Sequence, residues 1–113
     1  MLKIAVIGLG LIGGSILKSL SQSDWEIAAI SKSSYDKAKS YTPYASDMIE
    51  DVRGADVVFV CSPMNETKNV LKRLEGIVSP KCIVCDVCSL KGFLEGGYKF
   101  NYIGTHPMAG TEE

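Results

Sequence analysis

The residues of this chain whose types and spacing could do chemistry are one histidine, four cysteines and a glycine turn. The histidine, His106, stands in "GTHPMAG" at residues 104–110. Pro107 disfavours helix for the residue before it and biases His106 toward extended geometry. A histidine with its ordinary pKa of about 6.5 can be neutral at pH 7 and accept a proton, so an imidazole projecting from a strand end is a candidate general base. By itself, a lone histidine in such a place serves a structural role as readily as a catalytic one.

The glycine turn is "GLGLIG" at residues 8–13, which fits G-x-G-x-x-G. It follows an apolar run that reads as a strand and opens a segment with helical spacing, the context in which the pattern marks a dinucleotide site. Gly8 permits the tight turn, Gly10 lets the backbone approach a pyrophosphate, and Gly13 lets the helix pack close to the strand. Leu11 and Ile12 open the helix, whose first N–H groups and partial positive charge face the phosphates. A glycine-rich turn without a ligand is the alternative. Folds that bind NAD place an Asp or Glu about 20 residues further on, for the adenosine ribose. Here that stretch reads "AAISKSS", with Ser31 in the expected position, followed by Lys32, Ser33 and Ser34. A carboxylate would repel a 2′-phosphate and a lysine among hydroxyls attracts one, so NADP is favoured over NAD. A Lys32 that merely sits in solvent is the competing reading.

Three of the four cysteines, Cys82, Cys85 and Cys88, form "CIVCDVC", a spacing seen in metal and iron–sulfur sites. The run is short, apolar and β-branched, which predicts a strand. Side chains alternate along a strand, so Cys85 points away from Cys82 and Cys88 and the three thiolates do not converge. Reduced cysteines used as small apolar residues are expected, with no metal and no disulfide framework.

The elements that position these residues repeat as strand, turn, helix. Strands are predicted over 3–8, 25–31, 56–62, 82–87 and 102–106, with a brief one near Tyr44. Helices are predicted over 11–22, where Ile12, Ile16, Leu17 and Leu20 share a spacing, over 33–41, over 65–77 with Val70, Leu71 and Leu74 on one side, and over 90–98. The alternation predicts an α/β fold: a Rossmann-type doubly wound parallel sheet in three α/β/α layers, one dinucleotide-binding domain over 1–113. In such sheets ligands bind beyond the carboxyl ends of the strands, where Cys61–Met64, Cys88–Ser89 and Thr105–His106 fall.

Composition narrows the function classes. Twelve basic residues against thirteen acidic ones leave a formal charge of −1, no electrostatic basis for binding nucleic acid or an anionic membrane. At 46% hydrophobic and 22% charged, the chain reads as globular. "IAVIGLGLIGGSIL" has the apolarity of a signal peptide, but four glycines interrupt it and no small-residue cleavage site follows. A soluble, cytoplasmic protein is expected.

"VIGLGLIGGS" (6–15), "CSP" (61–63), "DVCSLKG" (86–92) and "GTHPMAGTE" (104–112) occur in the order and approximate spacing of the prephenate and arogenate dehydrogenase family, which the chain resembles over essentially its whole length. The specific part is "HPMAG" combined with D-V-x-S-x-K. The resemblance implies an NAD(P)-dependent oxidoreductase of tyrosine and aromatic amino acid biosynthesis, acting by oxidative decarboxylation. It implies that His106 accepts the proton of the substrate's ring hydroxyl and that Ser89 orients hydroxyl and histidine near the nicotinamide. Cys61, Ser62 and Pro63 are expected to shape the turn beneath the cofactor through backbone contacts. Asp86 either holds the Ser89 loop or does little. Lys91 either aids substrate binding or is solvated. Family members continue into a helical domain for substrate binding and dimerisation that this sequence does not include, so the chain alone is expected to be inactive and the full-length enzymes homodimeric. The alternatives are a non-catalytic dinucleotide-binding or redox-sensing module and another NAD(P)-dependent reductase. Neither a sensor nor a plain glycine turn calls for a proton acceptor in the "HPMAG" position.

Overall fold

The computed structural model describes residues 2–62, 64–87 and 99–104. Short apolar runs become strands: β1 (Lys3–Ile7), β2 (Glu26–Ile30), β3 (Tyr44–Ser46), β4 (Val57–Val60), β5 (Ile83–Asp86) and β6 (Asn101–Gly104). They form one sheet in the order β3-β2-β1-β4-β5-β6, with every neighbouring pair parallel. The helices are α1 (Leu11–Leu20), the single turn α2 (Tyr35–Ala38) and α3 (Met64–Leu74), with a 3₁₀ turn at Ile49–Val52.

The strand order reverses at β1. The chain steps from β1 to β2 in one direction and from β4 to β5 in the other, so right-handed crossovers place α1 and α3 on opposite faces. On one face Leu17 of α1 and Ala38 of α2 pack on Ile4, Ile27 and Ala29. On the other, Leu71 and Leu74 of α3 join Ile49 and Val52 over Val58, Val60 and Val84. Leu71 and Leu74 are completely buried, and each such side chain stabilises the fold by roughly 1.5–3 kcal/mol. The result is the three-layer doubly wound fold expected from the alternation. Among the described residues no helix is long and apolar enough to cross a membrane.

Several boundaries differ from expectation. Trp25 stands outside β2 and is exposed. The helix expected over 33–41 shortens to one turn, and the one expected to reach residue 77 ends at Leu74. Beyond it the N–H groups of Glu75, Gly76 and Ile77 bond three residues back, the tightened geometry in which helices terminate. The 3₁₀ turn at Ile49–Val52 was not expected; its two apolar ends enter the core. Ile12 does not share the buried side of α1 and is 40% exposed. The segment 90–98 and the end of the strand expected over 102–106 lie outside the described residues.

Two glycines fix how α1 meets the sheet. Gly8 has φ +90°, a conformation that L side chains rarely adopt. A Cβ there would stand 2.9 Å from the backbone of Cys61 and Ser62, and a Cβ on Gly13 would stand 1.9 Å from the Gly8 carbonyl oxygen. Helix, turn and the end of β4 are thus in backbone contact.

From Cys82 through β5 the burial alternates. Cys82, Val84 and Asp86 are buried, whereas Ile83 and Cys85 are not. Cys82 and Cys85 therefore fall on opposite faces, and Cys88 lies outside the described residues. Burial, with Asp56 and then Cys85 adding negative charge, pushes the Cys82 thiol from the ordinary 9.0 up to about 11. Burial raises Cys85 as well. Both are thiols and not thiolates at neutral pH, which makes them poor metal ligands and poor nucleophiles.

Two outcomes are expected. Gly13→Ala should destabilise the chain by about 3 kcal/mol, the upper end of overpacking costs, because the obstructing atom is backbone; equilibrium urea unfolding measures it, with Gly10→Ala as the control, since nothing lies within 4 Å of that site. The Cys82 pKa is raised by folding, so its contribution is complete below pH 9 and is lost as pH rises toward 11. The stability difference between wild type and Cys82→Ala should therefore shrink, on the order of 2 kcal/mol, across that interval.

Candidate functional site

The carboxyl ends of the central strands open onto a cleft of about 1140 Å³. Its floor is the glycine turn after β1 and the Cys61–Ser62 turn after β4; one wall is the loop after β2 and the opposite wall is α3. Of the expected cofactor-binding residues, Gly8, Gly10, Ile12, Ser31, Lys32, Ser33, Cys61 and Ser62 all line this one cleft. Gly13 lies just behind it, where it lets α1 approach. Leu11 begins α1. Pro63, Ser89 and His106 lie outside the described residues, as does Lys91.

The loops hold their positions because the sheet's hydrogen-bond ladder continues past the strands. Gly8 N–H donates to Ile30 O at 2.8 Å, Cys61 N–H to Ile7 O at 2.7 Å and Ser31 N–H to Ser46 O at 3.0 Å. Beyond β5, Val87 N–H donates to Val60 O at 3.2 Å. Each of the four turns at this edge is therefore held by a backbone bond to a neighbouring strand.

The three glycines of the motif differ in their surroundings. Gly8 and Gly13 meet protein. Gly10 meets nothing: a Cβ there would have open space around it. Gly10 is also the N-cap of α1 and supplies no side-chain bond to the helix, and no acidic residue stands in the first turn. The first-turn N–H groups have no carbonyl one turn back. An uncapped helix start beside open space suits an oxygen-rich anion.

At the second wall, Ser31 Oγ accepts a hydrogen bond from Ser34 N–H at 3.0 Å, which closes the loop on itself. Its own hydroxyl proton remains to be donated. Lys32 and Ser33 are exposed at the cleft rim. A smaller cavity of about 360 Å³ adjoins through Leu9, Gly10 and Ser34, and Lys18 and Lys37 stand at it.

α3 contributes a wall that reading the motifs did not reveal. Glu66, Asn69, Val70 and Arg73 line the cleft, while Thr67, Leu71 and Leu74 are fully buried against the sheet. The signal was present as two interleaved stripes at three- and four-residue spacing. Arg73 pairs with Glu50 at 3.2 Å. Both side chains are about half exposed, so the pair contributes at most about 1 kcal/mol, and it ties α3 to the 3₁₀ turn at the cleft's outer end. Asp86, fully buried at the end of β5, accepts a hydrogen bond from Tyr102 Oη at 3.1 Å. Among the described residues no cluster of histidine, cysteine or carboxylate side chains is arranged to hold a metal ion.

Residues 26–113 match the family model described as the prephenate dehydrogenase nucleotide-binding domain. The prephenate dehydrogenase of Lactococcus lactis subsp. cremoris is 29% identical, over 100% of this chain and 36% of its own length. Among solved structures, arogenate dehydrogenase from Synechocystis superposes with a TM-score of 0.80 at 31% identity, over 99% of this chain and 43% of that one. Prephenate dehydrogenase from A. aeolicus, in complex with hydroxyphenyl propionate and NAD+, gives a TM-score of 0.81 at 30% identity, over 100% of this chain and 44% of that one. The chain thus spans about two fifths of the length of these relatives. A match that takes in five of the six strands, on a sheet whose carboxyl edge carries the dinucleotide turn, places the chain in the prephenate dehydrogenase nucleotide-binding domain family.

Proposed function

We propose that this chain is the cofactor-binding half of a prephenate or arogenate dehydrogenase and that it binds NADP in preference to NAD. The observation that carries the dinucleotide reading is the open space at Gly10, where the uncapped start of α1 meets the cleft. Every other close approach in the turn is filled by protein. The bound nicotinamide would accept a hydride; the chain's own groups bind, orient and move a proton.

The preference for NADP follows from the wall after β2. A carboxylate there would accept from a ribose hydroxyl and repel a phosphate. Ser31 instead has a proton to donate, and Lys32 adds a positive charge at the rim. The A. aeolicus enzyme holds NAD+, so the preference proposed here is a property of this chain's residues.

For the chemistry, His106 is the proposed general base and Ser89 its orienting partner. β6 ends at Gly104, opposite Asp86 of β5, at the same edge as the cleft, and His106 follows two residues later in sequence. As the carbon bearing the ring hydroxyl loses its hydride, the hydroxyl proton passes to the neutral imidazole. The ring carboxylate leaves as CO₂, its bonding electrons completing the aromatic ring. The substrate's carboxylates need further positively charged groups, which the remaining three fifths of the relatives' length would supply.

Calorimetric titration of this chain with both cofactors should show tighter binding of NADP, and Lys32→Ala should weaken NADP by about three- to tenfold, the weight of a partly solvated charge contact, with little effect on NAD. Equal affinities in wild type would overturn the preference. His106→Asn should leave cofactor affinity within twofold. In a full-length enzyme the same change should lower kcat by about 10²- to 10⁴-fold. It should also remove the acid limb of the pH–rate profile, because imidazolium has no lone pair for the hydroxyl proton. Near-normal turnover in the variant would exclude His106 as the base.

A further inference from the structure

Ser62 sits at the cleft floor, in the turn between β4 and α3, with 4% of its surface exposed. Its hydroxyl is buried and has no hydrogen-bond partner among the described residues. Folded proteins rarely leave such a group unmatched, because a buried hydroxyl without a partner costs more than a hydrogen bond returns.

The position cannot relax by moving the main chain. The Ser62 carbonyl accepts from Thr67 Oγ1 at 3.2 Å, and Thr67 is fully buried in α3. Gly8 approaches so closely that a Cβ on it would stand 2.9 Å from Ser62 N. The preceding residue is held by the 2.7 Å bond from Cys61 N–H to Ile7 O. A hydroxyl on a backbone fixed from three directions keeps only its χ1 torsion and its proton to rotate.

We propose that Ser62 Oγ donates a hydrogen bond to the nicotinamide-side ribose–phosphate of the bound dinucleotide, and so positions that half of the cofactor. The assignment depends on the dinucleotide reading above and adds to it. The glycine turn and the start of α1 address the pyrophosphate, and the loop after β2 addresses the adenosine ribose. The β4 side of the cleft, where Ser62 stands, is left for the other half. Serine is more than a spacer there, since alanine would satisfy the packing and leave no orphan hydroxyl.

The test is Ser62→Ala in this chain, with three readouts. The apo protein should melt at the same temperature or higher, because an unpaired buried hydroxyl has been removed. Affinity for the tighter of NADH and NADPH, followed by nicotinamide fluorescence, should fall about five- to tenfold, the weight of one hydrogen bond. Affinity for AMP or 2′,5′-ADP, which carry only the adenosine half, should not change. A melting temperature lowered by several degrees would show that the hydroxyl is structural. Unchanged nicotinamide-dinucleotide affinity, or an equal loss for AMP or 2′,5′-ADP, would also overturn the assignment. If the wild-type chain binds neither nucleotide, the dinucleotide reading itself fails and this assignment with it; a loss of the expected Ser62→Ala differences alone removes only the assignment.

Discussion

Between the carbonyl oxygen of Gly8 and the Cα of Gly13 there is no room for a methyl group, and the geometry of the carboxyl edge follows from that contact. It presses the first turn of α1 onto the loop it springs from, and Gly8 in turn lies against the backbone of Cys61 and Ser62. Three segments far apart in sequence meet without intervening side chains. A single added carbon at either glycine would push α1 outward, and with it the helix N-terminus that faces the cleft. Interiors this dense transmit such a shift instead of absorbing it.

The second constraint is the continuation of the parallel ladder beyond the strands. In the interior of the sheet these bonds only hold strands together. At the carboxyl edge they hold loops, because Gly8, Ser31, Cys61 and Val87 each donate to a neighbouring strand or loop. Backbone bonds do not depend on residue type, so the side chains of Ser31, Cys61 and Val87 do not enter them, whereas Gly8 is confined by its conformation and its contacts. α3 shows the same division. The stripe through Thr67, Leu71 and Leu74 is given to the sheet, and the stripe through Glu66, Asn69 and Arg73 is given to the cleft. A substitution at Glu66 or Asn69 would change the lining of the cleft without touching the buried stripe, whereas one at Arg73 would also remove its pair with Glu50.

Much of this was legible in the residues because it is local. Buried parallel strands read as continuous apolar runs, and β1, β2, β4 and β5 stand within one or two residues of where those runs placed them. The glycine spacing named its own geometry. What escaped was set by tertiary contacts. The 3₁₀ turn at Ile49–Val52 has neither helical period nor strand alternation; it forms because Ile49 and Val52 enter the core under α3. Ile12 fits the apolar spacing of α1 and yet faces the cleft, since the close approach at Gly13 decides which side of the helix meets the sheet. The α3 wall was encoded as amphipathicity, but motif reading takes amphipathicity to mean solvent on the polar side, and here part of that side faces a cleft. His106 and Ser89, read from motif and family resemblance, fall beyond the described residues.

Four locally unfavourable features gather at the glycine turn and the turn after β4. Gly8 holds a conformation that L side chains rarely adopt, α1 begins without a side-chain cap, Gly10 faces open space, and Ser62 buries a hydroxyl without a described partner. All four occur along one edge of the sheet, within the two turns that flank the switch in strand order. Elsewhere among the described residues the buried side-chain polar atoms have partners: Thr42, buried beside β2, donates to Ile27 O at 2.5 Å. A chain that satisfies its buried side-chain groups elsewhere and leaves one open at a cleft is locally suboptimal for folding there, the pattern that functional sites produce. A molecule that binds only the folded state restores the balance by mass action, about 2.7 kcal/mol at a free concentration 100 times its Kd. That is comparable to the combined cost of an uncapped helix start and an unpaired hydroxyl. On the proposed function, the Ser62 hydroxyl and the N-terminus of α1 would belong to one site, because a single extended, phosphate-bearing ligand lying across both turns would partner them together.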